Sequence, residues 1–371
     1  MKRIAAVISI IIILIAIPVL YYILTPKQGH YEAAPANQES QQNISDSRDP
    51  WLWPFSQDSI WNTPIGSEAV YLPANIEPAL HNNVDWEIFV KTSEKDPEKT
   101  LYQAGHWKDR DTGTKVLRNL IIPDHVIVQD ANDGWQGNAC AAILQPDGRT
   151  FVNICALCRP YHGSDLWGYI LPDTDLYGDG TLGAHAGSGL STIGGSIRLR
   201  ELTGDSPIRH VLKINLWQNK FLYYDRNSDT PGYRWPAVNC DEYAPTMYGG
   251  KNPSLEMGAL LAIPPDVTEE SLGLKTDVGR KLFHALQDYG AYVVDACAGT
   301  VVWNSNDICA ERGVQEELEL NYNYNFSHGD LQEDFNSRLL PALHIVDNNS
   351  PSNVGGGGIP RAPLAPPLTR P

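Results

Sequence analysis

The chain lacks every short motif that would name a reaction by itself. It carries no Gly-rich phosphate loop, no dinucleotide fingerprint, no serine elbow and no contiguous metal cage. Positive charge is scarce: 28 Lys+Arg stand against 44 Asp+Glu, a formal net charge of -16. That balance repels phosphate backbones, so nucleic acid is excluded as a partner. Phenylalanine is also scarce, with 7 residues beside 10 Trp and 17 Tyr. The aromatic surface therefore mostly carries a hydrogen-bonding group, which suits stacking on sugars as well as packing in a β core. No internal repeat is present, and helical periodicity is nearly absent.

One long apolar run is present. Ile4 to Leu24 is uncharged between Arg3 and Lys27, about the length a membrane helix needs and longer than a secretory h-region. Lys2 and Arg3 before it place the N-terminus inside and export the rest. The reading is a signal anchor over 4–24. Ala34-Pro35-Ala36 has signal-peptidase spacing but lies well beyond the run, and no cysteine follows closely enough for a lipoprotein. Residues 25–49 read as a flexible stalk, 50–347 as the extracytoplasmic domain, and the Gly/Pro-rich 348–371 as a disordered tail. The chain is thus expected to be a single-pass protein of the cell membrane, or secreted if cleaved.

All six cysteines fall in the exported part, where an even count favours disulfides. Cys297 and Cys309 are expected to pair with each other. Cys155-Ala-Leu-Cys158 alone has zinc-like spacing, without a second such pair.

Short β-branched runs bounded by Pro, Asn and Gly predict strands at Trp86–Thr92, Leu120–Asp130 and Ala291–Cys297. Gln145-Pro146-Asp147-Gly148 predicts a hairpin turn, and LKINLW with FLYYDR predicts a second hairpin. In the run from Ile208 to Leu216, Lys213 and Asn215 should face away from Leu212, Ile214 and Leu216. Thr276 to Tyr289 has an N-cap, an apolar face and a following Gly290, and predicts one packed helix. The fold class expected is mainly β: a β-sandwich or jelly-roll-like domain with one α-helix.

Several separated segments, GGSIRLREL, PIRHVLKINL, YRWPA, MGALLAIPP and KLFHALQDYGAYVVD, together resemble a largely uncharacterised family of exported bacterial β-rich proteins. The resemblance spans roughly Trp51 to Ala298, with Val211 where the family usually has alanine. It implies an exported domain with carbohydrate as the ligand class, and it brings no catalytic residues to transfer.

Candidate chemistry centres on the glycine-dense stretch from Gly183 to Leu216. His185, in the loop GAHAGSGLS, would titrate near neutrality as a general acid or base; the plainer alternative is a turn cap. His210 lies in a strand-like run and is either functional or a buried, hydrogen-bonded histidine. Glu201 could protonate a glycosidic oxygen, unless it forms an ion pair with Arg198. It would need a second carboxylate, from Asp241, Glu242 or Asp295. Arg198, Tyr233, Arg234, Trp235, Asp241 and Trp167 are the candidate substrate-binding residues. A lyase would use His185, His210, Arg198, Tyr233 and Arg234 instead, but the net negative charge disfavours an acidic polymer. Asp173, Asp175 and Asp179 resemble a calcium loop with the wrong spacing for an EF-hand, leaving only an irregular structural site. No organic cofactor is expected. The function expected is hydrolysis of a polysaccharide or envelope glycan. A non-catalytic glycan-binding, adhesion or structural envelope protein is the alternative.

Overall fold

The pattern Leu-Lys-Ile-Asn-Leu at 212–216 fixes the orientation of the middle of the molecule. As a strand it turns Leu212, Ile214 and Leu216 into one apolar core and Lys213 and Asn215 to the other face. The computed structural model describes residues 48–106, 109–128, 139–297 and 304–368. The run 4–24 and all but the last two residues of the stalk lie outside them. Among the described residues no helix is long and apolar enough to cross a membrane.

Twelve strands form one mixed sheet: β1 (Tyr71–Pro73), β2 (Val84–Lys91), β3 (Glu98–Gln103), β4 (Val116–Ile121), β5 (Ala141–Leu144), β6 (Thr150–Cys158), β7 (Leu166–Asp175), β8 (Leu212–Leu216), β9 (Leu260–Ala262), β10 (Ala291–Ala296), β11 (Asp307–Glu311) and β12 (His344–Val346). Their spatial order is β1-β12-β9-β10-β8-β11-β2-β5-β6-β7-β3-β4. The domain is therefore mainly β, as expected, but it is not two packed antiparallel sheets. β10–β8, β11–β2, β2–β5 and β3–β7 are parallel pairs. Alternation along a strand says which face a residue takes, not which way its neighbour runs.

β2 holds the sheet together. Val84–Glu87 pair with β11, and Ile88–Lys91 pair with β5. The β5–β6 hairpin forms around Asp147, whose carboxylate accepts from the Arg149 and Thr150 N–H groups. The second predicted hairpin does not form. β8 lies between β10 and β11, while Phe221 and Leu222 fill the core outside any strand. The strand expected over Leu120–Asp130 ends at Ile121, ahead of Pro123, which has no N–H for the ladder.

The predicted helix spans Asp277–Asp288. Thr276 Oγ1 accepts from the Gly279 N–H as its N-cap, and Leu282, Phe283, Ala285 and Leu286 pack on Leu212, Ile214 and Val293. A second helix, Val314–Tyr322, was not legible. Only Val314 and Leu318 are buried in it, too short a stripe to read as periodic.

The segment expected to be a disordered tail is packed over its described part, 348–368. Gly66 and Ser67 donate to Gly355 and Ile359 at 2.9 Å, Arg361 donates to Ile65 at 2.9 Å, and Ala365 is fully buried. Glycines at 355–358 take left-handed backbone, so the 64–69 loop can approach closely. Cys140 and Cys155, on β5's approach and β6, form a disulfide. The expected Cys297–Cys309 pairing is absent: both are buried outside any disulfide, and the Cys297 thiol bonds Asp307 instead.

Candidate functional site

The candidate site lies where β10, β8, β11 and β2 run side by side. Register places Cys309 of β11 beside Asp85 of β2. Period-two alternation then puts Asp85 and Glu87 on one face with Cys309, Lys213 and Asn215. Asp295 comes from β10, whose ladder shifts register between Val293 and Asp295.

The glycine-dense loop before β8 covers this polar row. Trp61 sits over Gly194 and Gly195, donates to the Gly180 carbonyl at 2.7 Å, and meets Tyr292 edge-on at 5.5 Å. A Cβ on Gly194 would fall 2.5 Å from the indole nitrogen, so this close approach requires glycine. Lys213 ties the loop down. Its fully buried Nζ donates to both Glu87 oxygens at 2.9 and 2.8 Å, and to the Ser191 and Thr192 carbonyls at 3.0 and 2.6 Å. Ser196 Oγ also donates to Glu87. A buried ion pair with each partner hydrogen-bonded can persist; one partner alone could not.

His185 enters this cluster from the loop. Its Nε2 lies 3.2 Å from Glu87 Oε1, 3.6 Å from Cys309 Sγ and 3.9 Å from Asp85 Oδ2. Its Nδ1 lies 3.4 Å from Asp295 Oδ2, an electrostatic contact rather than an aligned hydrogen bond. Asn215 Nδ2 donates to Asp85 at 2.7 Å, and the Cys309 thiol points to Asn215 Oδ1 at 3.4 Å. Burial, and then Lys213, hold the imidazole below its ordinary value. Burial pushes Asp85, Glu87 and Cys309 up, and Asp295 up to about 6. The Gly187 N–H bonds Asp295, and a Cβ at Gly187 would lie 2.6 Å from its Oδ1.

Asp241 completes the acidic end. Tyr248 donates to its Oδ2 at 2.6 Å, and Tyr243 also bonds it. Burial first, then the charge of Asp295, push this carboxyl up to about 7. Tyr243, bonded to Asp241, is 39% exposed.

The structure therefore brings together three of the residues singled out in sequence: His185, Asp295 and Asp241. Glu201 and His210 form a different pair, Oε1 to Nε2 at 3.0 Å, with His210 Nδ1 against the Val211 carbonyl. Among the described residues the partners of the two histidines do not overlap. Burial alone would raise Glu201, but His210 and the Arg198 N–H bring it below its ordinary value; His210 is raised in turn. The Arg198 guanidinium pairs with Glu311 at 2.9 Å and lies over Trp51 and Phe89, not against the Glu201 carboxylate.

The other candidates lie elsewhere. Arg234 donates to the Asp347 carbonyl at 2.7 Å, while Tyr233 and Trp235 pack half-buried against the two cores. Trp167 stacks on Tyr102 in the far half of the sheet and donates to Gly113. Asp173 and Asp175 face Arg118 and Arg149, and Asp179 accepts from the Thr181 N–H. A cleft of about 630 Å³ runs past Val84, Trp86 and Arg312. Val84 and Trp86 alternate with Asp85 and Glu87, so it opens on the opposite face of β2 from the acids.

Asp85, Glu87, Cys309 and Tyr243 were not anticipated. The available signal was charge inside apolar strands, as in Val-Asp-Trp-Glu-Ile and Leu-Lys-Ile-Asn-Leu. Such residues are buried only with a partner. Three of the donors here, Asp85, His185 and Cys309, stand within reach of one metal ion.

None of the protein-family models, curated proteins or solved structures compared with this chain matches it.

Proposed function

We propose that this protein is an extracytoplasmic, membrane-anchored enzyme that hydrolyses glycosidic bonds of a polysaccharide or envelope glycan. The observation that carries this reading is a buried Asp241, bonded by Tyr243 and Tyr248, that lies near enough to Asp295 to feel its charge. Asp241 is held up to about 7 and Asp295 to about 6, so Asp241 keeps its proton to the higher pH. That is the division of labour glycoside hydrolysis asks of two acids. Asp241 gives its proton to the leaving glycosidic oxygen. Asp295 takes one from the water that adds at the anomeric carbon, and the two carboxyls re-equilibrate through solvent. His185 holds Asp295 in place, and Tyr243 offers its ring face to a sugar.

The test is incubation of the full chain with a panel of cell-wall and capsular polymers, reading reducing ends. Release that disappears in both Asp241→Asn and Asp295→Asn supports the reading. Glycan binding without release by the wild type would replace it with the binding-protein alternative.

A further inference from the structure

The three atoms that converge under the loop form a triangle of unusual composition: a carboxylate oxygen, an imidazole nitrogen and a sulfur. Nε2 of His185 to Sγ of Cys309 is 3.6 Å, Nε2 to Oδ2 of Asp85 is 3.9 Å, and Sγ to Oδ2 is 4.0 Å. Ligands bound about 2.0–2.3 Å from a tetrahedral ion stand about 3.3–3.6 Å from one another. The Nε2–Sγ edge fits that range, and the two edges to Oδ2 are long by about half an ångström, which a small side-chain shift of Asp85 would close. We infer that Asp85, His185 and Cys309 bind a divalent transition metal of borderline softness, zinc first, through one oxygen, one nitrogen and one sulfur, with a fourth position open.

Four further observations support the assignment. Asp85 and Cys309 are register partners on adjacent parallel strands, so two of the three ligands sit on rigid backbone. Asn215 Nδ2 fastens Asp85, and its Oδ1 accepts from the Cys309 thiol, orienting the sulfur until an ion displaces the proton. Asp295 stands against the remaining nitrogen of His185, the place an outer carboxylate takes behind a metal-bound histidine. Charge also balances: a divalent ion between the Asp85 carboxylate and a Cys309 thiolate leaves no net charge. Glu87 approaches Nε2 too, but both its oxygens are engaged by Lys213. The Asp85 side chain is 28% exposed and gives an ion a way in.

This site stands whether or not the protein cleaves glycans, and its test reads metal directly. The full chain, stripped with a chelator and handled without oxygen, is titrated with Co²⁺, and the thiolate-to-cobalt charge-transfer absorption is recorded. The wild type should develop that band with a single equivalent, and Zn²⁺ should abolish it by displacement. Cys309→Ser should lose the band, while Cys297→Ser, an equally buried thiol outside the triangle, should keep it. Asp295→Asn should weaken Co²⁺ binding about 10–100-fold, and His185→Gln by at least that much. If Cys309→Ser fails to fold, Asp85→Asn decides by the same loss of affinity. No band in the wild type, or undiminished binding in Cys309→Ser or Asp85→Asn, would overturn the site.

Discussion

Nδ1 of His185 lies 3.4 Å from Oδ2 of Asp295, linking a loop that covers the sheet to the end of β10 beneath it. The loop gives the histidine its place and the strand gives the carboxylate its burial. The chemistry proposed for this protein depends on that joint.

Asp241 acts as proton donor only while it keeps its proton. With its carboxyl at about 7, kcat/KM on a cleaved glycan should fall as pH rises through 7. Asp241→Asn should cost about 10²–10⁴-fold, the usual worth of a general acid. A flat alkaline limb in the wild-type profile, or near-normal turnover by the variant, would remove Asp241 from that role.

Lys213 and Glu87 are both out of water and satisfy each other. Lys213→Met should destabilise the fold by about 3–5 kcal/mol, because it strands the Glu87 carboxylate. The double variant Lys213→Met with Glu87→Leu should recover much of the loss. Denaturant unfolding of the three proteins checks this; a double variant no better than the single would point to lost packing instead.

The Glu201–His210 pair predicts how stability follows pH. Burial alone would lower His210, but Glu201 raises it above the ordinary 6.5. Its contribution is therefore full below 6.5 and is lost as pH rises through the raised value. Glu201 is lowered from 4.5, so its contribution is full above 4.5 and is lost as pH falls through the lowered value. The stability difference between wild type and His210→Ala should be greatest from pH 4.5 to 6.5. It should shrink on both sides. Parallel stability–pH curves would contradict the pairing.

Truncation after Asp347 should lower the melting temperature. It removes the backbone bonds from Gly66, Ser67 and Arg361 to or from the C-terminal segment, at about 0.5–1.5 kcal/mol each, and uncovers the surface that Ala365 buries. Calorimetry of the truncated chain decides; an unchanged melt would restore the reading of these residues as a loose tail.

Much of the strand content was legible because Leu-Lys-Ile-Asn-Leu and Ala-Tyr-Val-Val-Asp-Ala alternate or run apolar between turn residues. The helix at 277–288 was legible from Thr276 and its apolar face. Strand direction was not, since a parallel pair leaves no local trace of its partner. His185, Asp241 and Asp295 could be singled out by type and setting. Their association could not, because about 50 residues or more separate each from the next. Asp85 and Cys309 meet only through the pairing of β2 with β11. The C-terminal segment misled because glycine and proline mark a docked, turn-rich strap as readily as a free one.

β2 hands its first half to one neighbour and its second half to another, and the changeover falls between Glu87 and Ile88. Asp85 and Glu87 stand just before that junction. One strand thus carries both the seam between the two halves of the sheet and two of the carboxylates around His185.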